Sequence, residues 1–262
     1  MRRTLVTKIG LCVAMALSVE LGGCIIYTGD HYEAKATRTD QLSAPVANAA
    51  ALRVTTNVGA IKLEAAETAE VRVTADITVK ARTDEEAQQL LNAFHVTAEP
   101  SGDTFVVKAE KPSHFGRNQL SVDLTITAPP GLRLDCATDV GDIRTDGFTN
   151  RVEARSDVGS ITCTGLRSSV SLRSNVGDVK FAYAPDAPAA LDATAATNVG
   201  NVEFEGPQQV SAKVAAATNV GSIHSDRPLT IRGQLSQSIN ASLGDGQGRV
   251  SLATNVGSIR IR

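Results

Sequence analysis

One pattern, Ser/Thr–Asn/Asp–Val–Gly–x–Ile/Val, occurs seven times in this chain. It first reads Thr56-Asn57-Val58-Gly59-Ala60-Ile61, and it returns at residues 138–143, 156–161, 174–179, 197–202, 218–223 and 254–259. Self-similarity of this kind limits the chain to stacked or radial repeat architectures before any other property is weighed. The motif glycines Gly59, Gly141, Gly159, Gly177, Gly200, Gly221 and Gly257 lie 82, 18, 18, 23, 21 and 36 residues apart. The last interval reads as two units of 18, with Leu243-Gly244-Asp245-Gly246 as a decayed copy inside it.

The flanks keep the same order. Six residues before each motif valine stand Leu52, Leu134, Val152, Val170, Ala193, Val214 and Val250. Four before stand Val54, Cys136, Ala154, Leu172, Ala195, Ala216 and Leu252. Three after stand Ile61, Ile143, Ile161, Val179, Val202, Ile223 and Ile259; five after stand Leu63, Thr145, Cys163, Phe181, Phe204, Ser225 and Ile261. Alternation with period two marks strands with one buried face. Its phase changes across Val-Gly-x, as a bend between two strands requires. Glycine supplies a positive φ at that bend. The residues Asn57, Asp139, Asp157, Asn175, Asn198, Asn219 and Asn255 are expected to bond backbone groups near the bend and to form a ladder when coils stack, as are the Ser/Thr residues. A coil of about 18 residues buries its apolar face only against its neighbours, so the array is stable collectively. The expectation is an all-β, single-domain parallel β-helix, right-handed, with four apolar columns. A propeller blade needs about 40 residues, and left-handed hexapeptide solenoids show three apolar turn units per coil rather than one motif.

The 82-residue gap holds something else. Residues 71–80 alternate as a strand. Thr83 and Glu86 form a capping box, followed by Ala87, Leu90, Leu91 and Phe94 on one helical face. Residues 95–99 and 104–110 read as a hairpin, and residues 120–128 as a further strand. This insertion, at about residues 70–128, is expected to cap an open solenoid end. The other end is expected to expose the final repeat strand, which stops at Arg262.

The first residues read as an export signal. Arg2, Arg3 and Lys8 precede an apolar stretch at residues 9–17, too short for a bilayer span of roughly 20 residues. Leu21-Gly22-Gly23-Cys24 resembles a lipobox, which implies acylation at Cys24, palmitate included, and removal of residues 1–23. The expected organisation is signal peptide 1–23, tether 24–49 and β-solenoid domain 50–262. Ile25 stands where an Asp would favour inner-membrane retention, so an outer-membrane location, on either face, is expected. Removing the net +2 of residues 1–23 from the formal −2 leaves −4, which argues against nucleic acid as partner. Cys136 and Cys163 fall on opposite strands of neighbouring coils. Facing sheets stand about 10 Å apart, so two buried thiols are expected rather than a disulfide.

Together the repeats, the insertion and the lipobox resemble the bacterial putative-adhesin domain family, envelope β-helices of unassigned biochemical function related to head-domain adhesin-like proteins. The resemblance covers about residues 50–262. That family's motif reads Thr-Ser-Asn-Gly-Asp/Ser-Ile; here Val takes the place of its Asn, and Asn/Asp stands one place earlier. Asp142 and Asp178, or Ser160, Ser222 and Ser258, fill the position after Gly. The resemblance implies fold and location and no catalytic residues.

Some β-helices degrade polysaccharides, using clustered carboxylates with a basic partner. Asp139, Asp142, Asp157 and Asp178 would stack near Arg144, Arg155 and Arg173, but these positions follow the repeat rather than one irregular site, which reads as a solvated edge. The four histidines are scattered, and the calcium-binding nonapeptide pattern is absent, so neither metal nor cofactor is expected. Only nine Phe and Tyr and no Trp also count against sugar stacking. The expected function is a non-enzymatic, lipid-anchored envelope protein whose repetitive surface meets a protein or glycan. A stress-sensing or regulatory lipoprotein, and a polysaccharide-active enzyme, are the alternatives.

Overall fold

The computed structural model describes residues 34–46, 48–235 and 237–262, all within the unit Tyr32–Arg262. Residues 1–23, expected to be a signal peptide, and Cys24 lie outside the described residues. Strands dominate. The chain begins with β1 (Ala34–Pro45), β2 (Ala51–Val58), β3 (Ile61–Ala65) and β4 (Glu70–Ala81). The helix α1 (Asp84–Ala93) follows, then β5 (Thr97–Ser101), β6 (Thr104–Ala109) and β7 (Gln119–Ala128). The regular repeats supply β8 (Arg133–Val140), β9 (Ile143–Asp146), β10 (Val152–Val158), β11 (Ile161–Leu166), β12 (Val170–Val176) and β13 (Val179–Tyr183). Then come β14 (Asp192–Val199), β15 (Val202–Glu205), β16 (Ala212–Val220), β17 (Ile223–Ser225), β18 (Thr230–Leu235), β19 (Ser238–Leu243), β20 (Gly248–Val256) and β21 (Ile259–Ile261).

Each motif joins a strand of one sheet to a strand of the other. The first sheet runs β1-β4-β7-β3-β9-β11-β13-β15-β21-β17, and the second runs β18-β19-β16-β20-β14-β12-β10-β8-β2-β6-β5. Repeat strands pair in parallel and in register. Val152 lies between Leu134 and Val170, and Ile161 lies between Ile143 and Val179. The four apolar columns therefore face inward, and all but Ile223 and Ser225, on the short edge strand β17, are buried. The architecture is all-β and solenoid-like, with both sheets open at their ends. The few aromatics are used inside it: all six Phe are buried, and Phe181 and Phe204 of adjacent coils stack with ring centroids 5.2 Å apart.

The insertion builds one end. The first repeat pairs directly with the second, Val58 with Val140, so the residues between them fold outward. There β4 and β7 extend the first sheet and β5 and β6 the second. Thr83 caps α1 by accepting the Glu86 backbone N–H at 3.2 Å. Only half of the expected capping box forms, because the Glu86 carboxylate accepts instead from Asn118. Ala87, Leu91 and Phe94 are buried, and Phe94 meets Phe115 edge-on.

Two expectations are corrected. Within residues 24–49, read as a tether, Ala34–Pro45 is a twelve-residue strand of the fold, paired antiparallel with β4. Arg38 explains the docking: it donates to the carbonyls of Leu91 and Phe94 at the end of α1 while Asp40 holds it bidentately. These inward-facing charges also blunt an edge strand. The second correction concerns the C-terminus. The final repeat does not end the stack. It is inserted, β20 between β14 and β16 and β21 between β15 and β17, parallel to both neighbours. The 36-residue interval is not two coils, since β18 and β19 form a hairpin on the outer edge of β16. Leu243-Gly244-Asp245-Gly246 is the turn out of that hairpin rather than a decayed motif.

Candidate interaction surface

The bend between the sheets has to satisfy every backbone group that the sheet ladders cannot reach. Coil-to-coil bonds do so. The Gly141 N–H donates to the Val158 carbonyl at 2.8 Å, and the Gly159 N–H donates to the Val176 carbonyl at 2.8 Å. In four of the repeats the N–H of the residue after glycine is taken by a side chain of the neighbouring coil. Ser160 N donates to Asp142 Oδ1, Asn201 N to Asp178 Oδ1 and Ser258 N to Asn201 Oδ1. This explains why that position favours Asp, Asn and Ser. Asp123 of β7 plays the same part for Ala60.

The glycine carbonyl turns away from the ladder and finds a buried hydroxyl. Ser156 donates to Gly141 at 2.9 Å, Ser174 to Gly159 at 2.9 Å, Thr197 to Gly177 at 2.8 Å and Thr254 to Gly200 at 2.8 Å. These hydroxyl residues are 1–4% exposed, so each bond is shielded from water. Ser156→Ala should strand the Gly141 carbonyl and cost about 1–3 kcal/mol. Ser156→Thr should cost little. Chemical denaturation of both variants checks this.

Outside the bend, Gly directs the two preceding residues to solvent. Asn57, Asp139, Asp157, Asn175, Asn198, Asn255 and Asn219 stand in one row in that spatial order. Their amides hand hydrogen bonds along it: Asn57 to Asp139, Asn175 to Asp157, Asn198 to Asn175, Asn255 to Asn198 and Asn219 to Asn255, at 2.7–3.3 Å. The side chains so form a ladder, interrupted where the carboxylates Asp139 and Asp157 stand next to each other. Backbone bonding by this row is confined among the recorded bonds to Asn57, which accepts from Lys111 N. The motif valines form a second outward row, from Val58 at 40% exposed to Val220 at 62%. The sequence alone assigned these valines no role. The signal was present: a β-branched apolar residue is invariant next to a position where the inward phase breaks.

Of the carboxylates nominated for chemistry, Asp139 and Asp157 are neighbours in the outward row, each accepting from an Asn on its other side. Asp142 and Asp178 are engaged in bends, Arg144 pairs with Asp142 at 2.9 Å, and Arg155 pairs with Glu153 rather than with any motif Asp. Among the described residues no group of three or more His, Cys, Asp and Glu side chains is placed to hold a metal ion. A cluster that the sequence did not suggest joins β17 to β21: Asp226 meets His224 at 2.8 Å and Arg260 at 3.2 Å. The hydrogen bond from Arg260 holds its carboxyl below the ordinary carboxylate range.

Cys136 and Cys163 are free and buried in opposite sheets, as expected. Burial pushes both thiols up from 9.0, Cys163 to about 12. The reactive thiolate is thus suppressed at neutral pH. Iodoacetamide at pH 8 should leave both untouched in the folded protein. In denaturant, without reductant, it should add two labels to residues 34–262, read by mass spectrometry.

The family model described as Toastrack DUF4097 matches residues 118–262. No curated protein matches the chain in sequence. Among solved structures, one described as a putative cell adhesion protein from Clostridium sporogenes is 14% identical. It covers 86% of this chain and 99% of its own, with a TM-score of 0.49. A putative adhesin from Bacteroides fragilis is also 14% identical, covers 86% and 97%, and has a TM-score of 0.43. A putative lipid binding protein from Parabacteroides distasonis is 11% identical, covers 86% and 97%, and has a TM-score of 0.31.

Proposed function

Given that this chain belongs to the Toastrack DUF4097 family, we propose that it is a non-catalytic envelope protein that presents its repeated bend as a surface for adhesion or protein–protein contact. One observation carries the reading. Seven copies of the motif place seven valines and seven Asn/Asp side chains outward in two rows, while buried hydroxyls and side chains of neighbouring coils bond the backbone of the bend from within. A rigid array of this kind recognises by repetition rather than by one pocket. The reading takes the coil as right-handed, with 18 residues in its most regular turns. It places the chain on the outer membrane through an acyl chain on Cys24, after cleavage of residues 1–23.

Two measurements test it. Cys24→Ser should move the protein from membrane to soluble fractions and abolish palmitate labelling. The full chain, incubated with envelope glycans and scored for both retention and new reducing ends, should yield no hydrolysis. Turnover of any glycan would overturn the non-catalytic reading.

A further inference from the structure

The valine row needs an account that the fold does not supply. Across the seven repeats the position after Gly changes among Asp, Asn and Ser, with Ala60 in the first, while Val never varies. The constancy of Gly is explained by the bend, where an added Cβ would meet a neighbouring carbonyl oxygen. Burial does not explain the constancy of Val, because Val140, Val158, Val176, Val199 and Val256 are all 45–48% exposed. A half-exposed apolar residue that is kept seven times is accounted for by something that covers it.

We propose that the valine row is where two copies of this chain meet, in a two-fold contact with the rows antiparallel. The inference deepens the interaction-surface reading and rests on it. In space the row runs Val58, Val140, Val158, Val176, Val199, Val256, Val220. Neighbouring strands lie about 4.8 Å apart, so the row is roughly 29 Å long. A partner that touches all of it must repeat with the same spacing, and a second copy does so by construction. An isologous contact of this kind closes as a dimer.

Charge selects the direction. With the rows antiparallel, Val176 faces its own counterpart and Val58 faces Val220. The Asn/Asp rows then lie on each other, Asp139 opposite Asn255 and Asp157 opposite Asn198, so carboxylates meet carboxamides. With the rows parallel, Asp139 lies opposite the Asp142 of the other copy. On the flank after Gly, the antiparallel arrangement places Asp142 opposite Ser258 and Asp178 opposite itself at the axis. That single like-charge contact is softened because Asp178 Oδ1 already accepts from Asn201 N at 2.7 Å and Asn201 Nδ2 at 3.3 Å. The stripe offers on the order of 500 Å² per copy, below the roughly 800 Å² of a standard stable interface. The dimer is therefore weak, with a Kd of about 1 μM or above, and it suits molecules confined to one membrane.

Cysteine cross-linking of the full chain in envelopes tests the register, with the unsubstituted chain as blank. Val176→Cys should give a disulfide dimer about tenfold above the blank. Val58→Cys and Val220→Cys should give none alone and a dimer when co-expressed. Cys136 and Cys163 must stay unreactive to maleimide, which confirms that each variant is folded. Self-cross-linking of Val58→Cys as strong as that of Val176→Cys, or no adduct at any of the three positions, would overturn the antiparallel dimer. Adducts from Val176→Cys to a different protein alone would also overturn it, while leaving the interaction-surface reading intact.

Discussion

Removing residues 247–262 should unfold residues 206–246 as well. Within the first sheet β17 pairs only with β21, and within the second β16, with the β18–β19 hairpin on its edge, reaches the earlier coils through β20, apart from a single bridge of Ser211 to Ala189 and Ala190. The deleted segment buries Val250, Leu252, Ile259 and Ile261 between two sets of partners. At about 1.5–3 kcal/mol each, their burial amounts to roughly 6–12 kcal/mol, comparable to the whole stability of an ordinary domain, about 5–15 kcal/mol. Hydrogen exchange on the truncated chain should show residues 206–246 unprotected and β8 to β13 still protected. If residues 206–246 stay protected without the segment, the inserted position of the last repeat is wrong.

A single methyl group at the bend should act almost as strongly. Gly159 has φ +151°, and a Cβ built there would lie 2.0 Å from the Gly141 carbonyl oxygen and 2.5 Å from its carbon. The conformation alone costs an L-residue about 1–3 kcal/mol, and the clash is with backbone, which cannot rotate away. Separating the two coils would break the Gly141 N–H to Val158 carbonyl bond and the Ser156 hydroxyl contact to the Gly141 carbonyl. Gly159→Ala is expected to cost at least about 3 kcal/mol, which lowers Tm by roughly 6–12 °C in a chain of this size. Gly131→Ala, where nothing lies within 4 Å of the added carbon, is the control and should stay within about 0.5 kcal/mol.

Much of this fold was legible because strand alternation and the glycine bend are local rules that seven copies repeat. The columns at Leu134, Cys136, Ile143 and Thr145 could be placed inward from spacing alone, and the register of Val152 with Val170 followed. The order of coils was not legible. A period says that units stack, but it does not say in what sequence, and β20 gains parallel partners on both sides by inserting where an outer position would give it one. Residues 34–45 were missed because their inward face carries Arg38 and Asp40, which break the apolar pattern while serving the end of α1. At the candidate surface the Asn/Asp ladder was foreseen from the motif. The valine row was not, because a valine inside a strand pattern is read as core until the bend shows which way it points.

The central claim is that the outward rows serve contact rather than folding. The most direct measurement changes three neighbouring valines together, Val158→Thr, Val176→Thr and Val199→Thr, and reads both thermal unfolding and retention in envelope complexes. Thr keeps the β-branched shape, and half-exposed substitutions of this kind stay within about 0.5 kcal/mol each. The account predicts unfolding within a few degrees of the parent and loss of the complexes. A protein that unfolds much earlier, or that keeps its complexes unchanged, would contradict it.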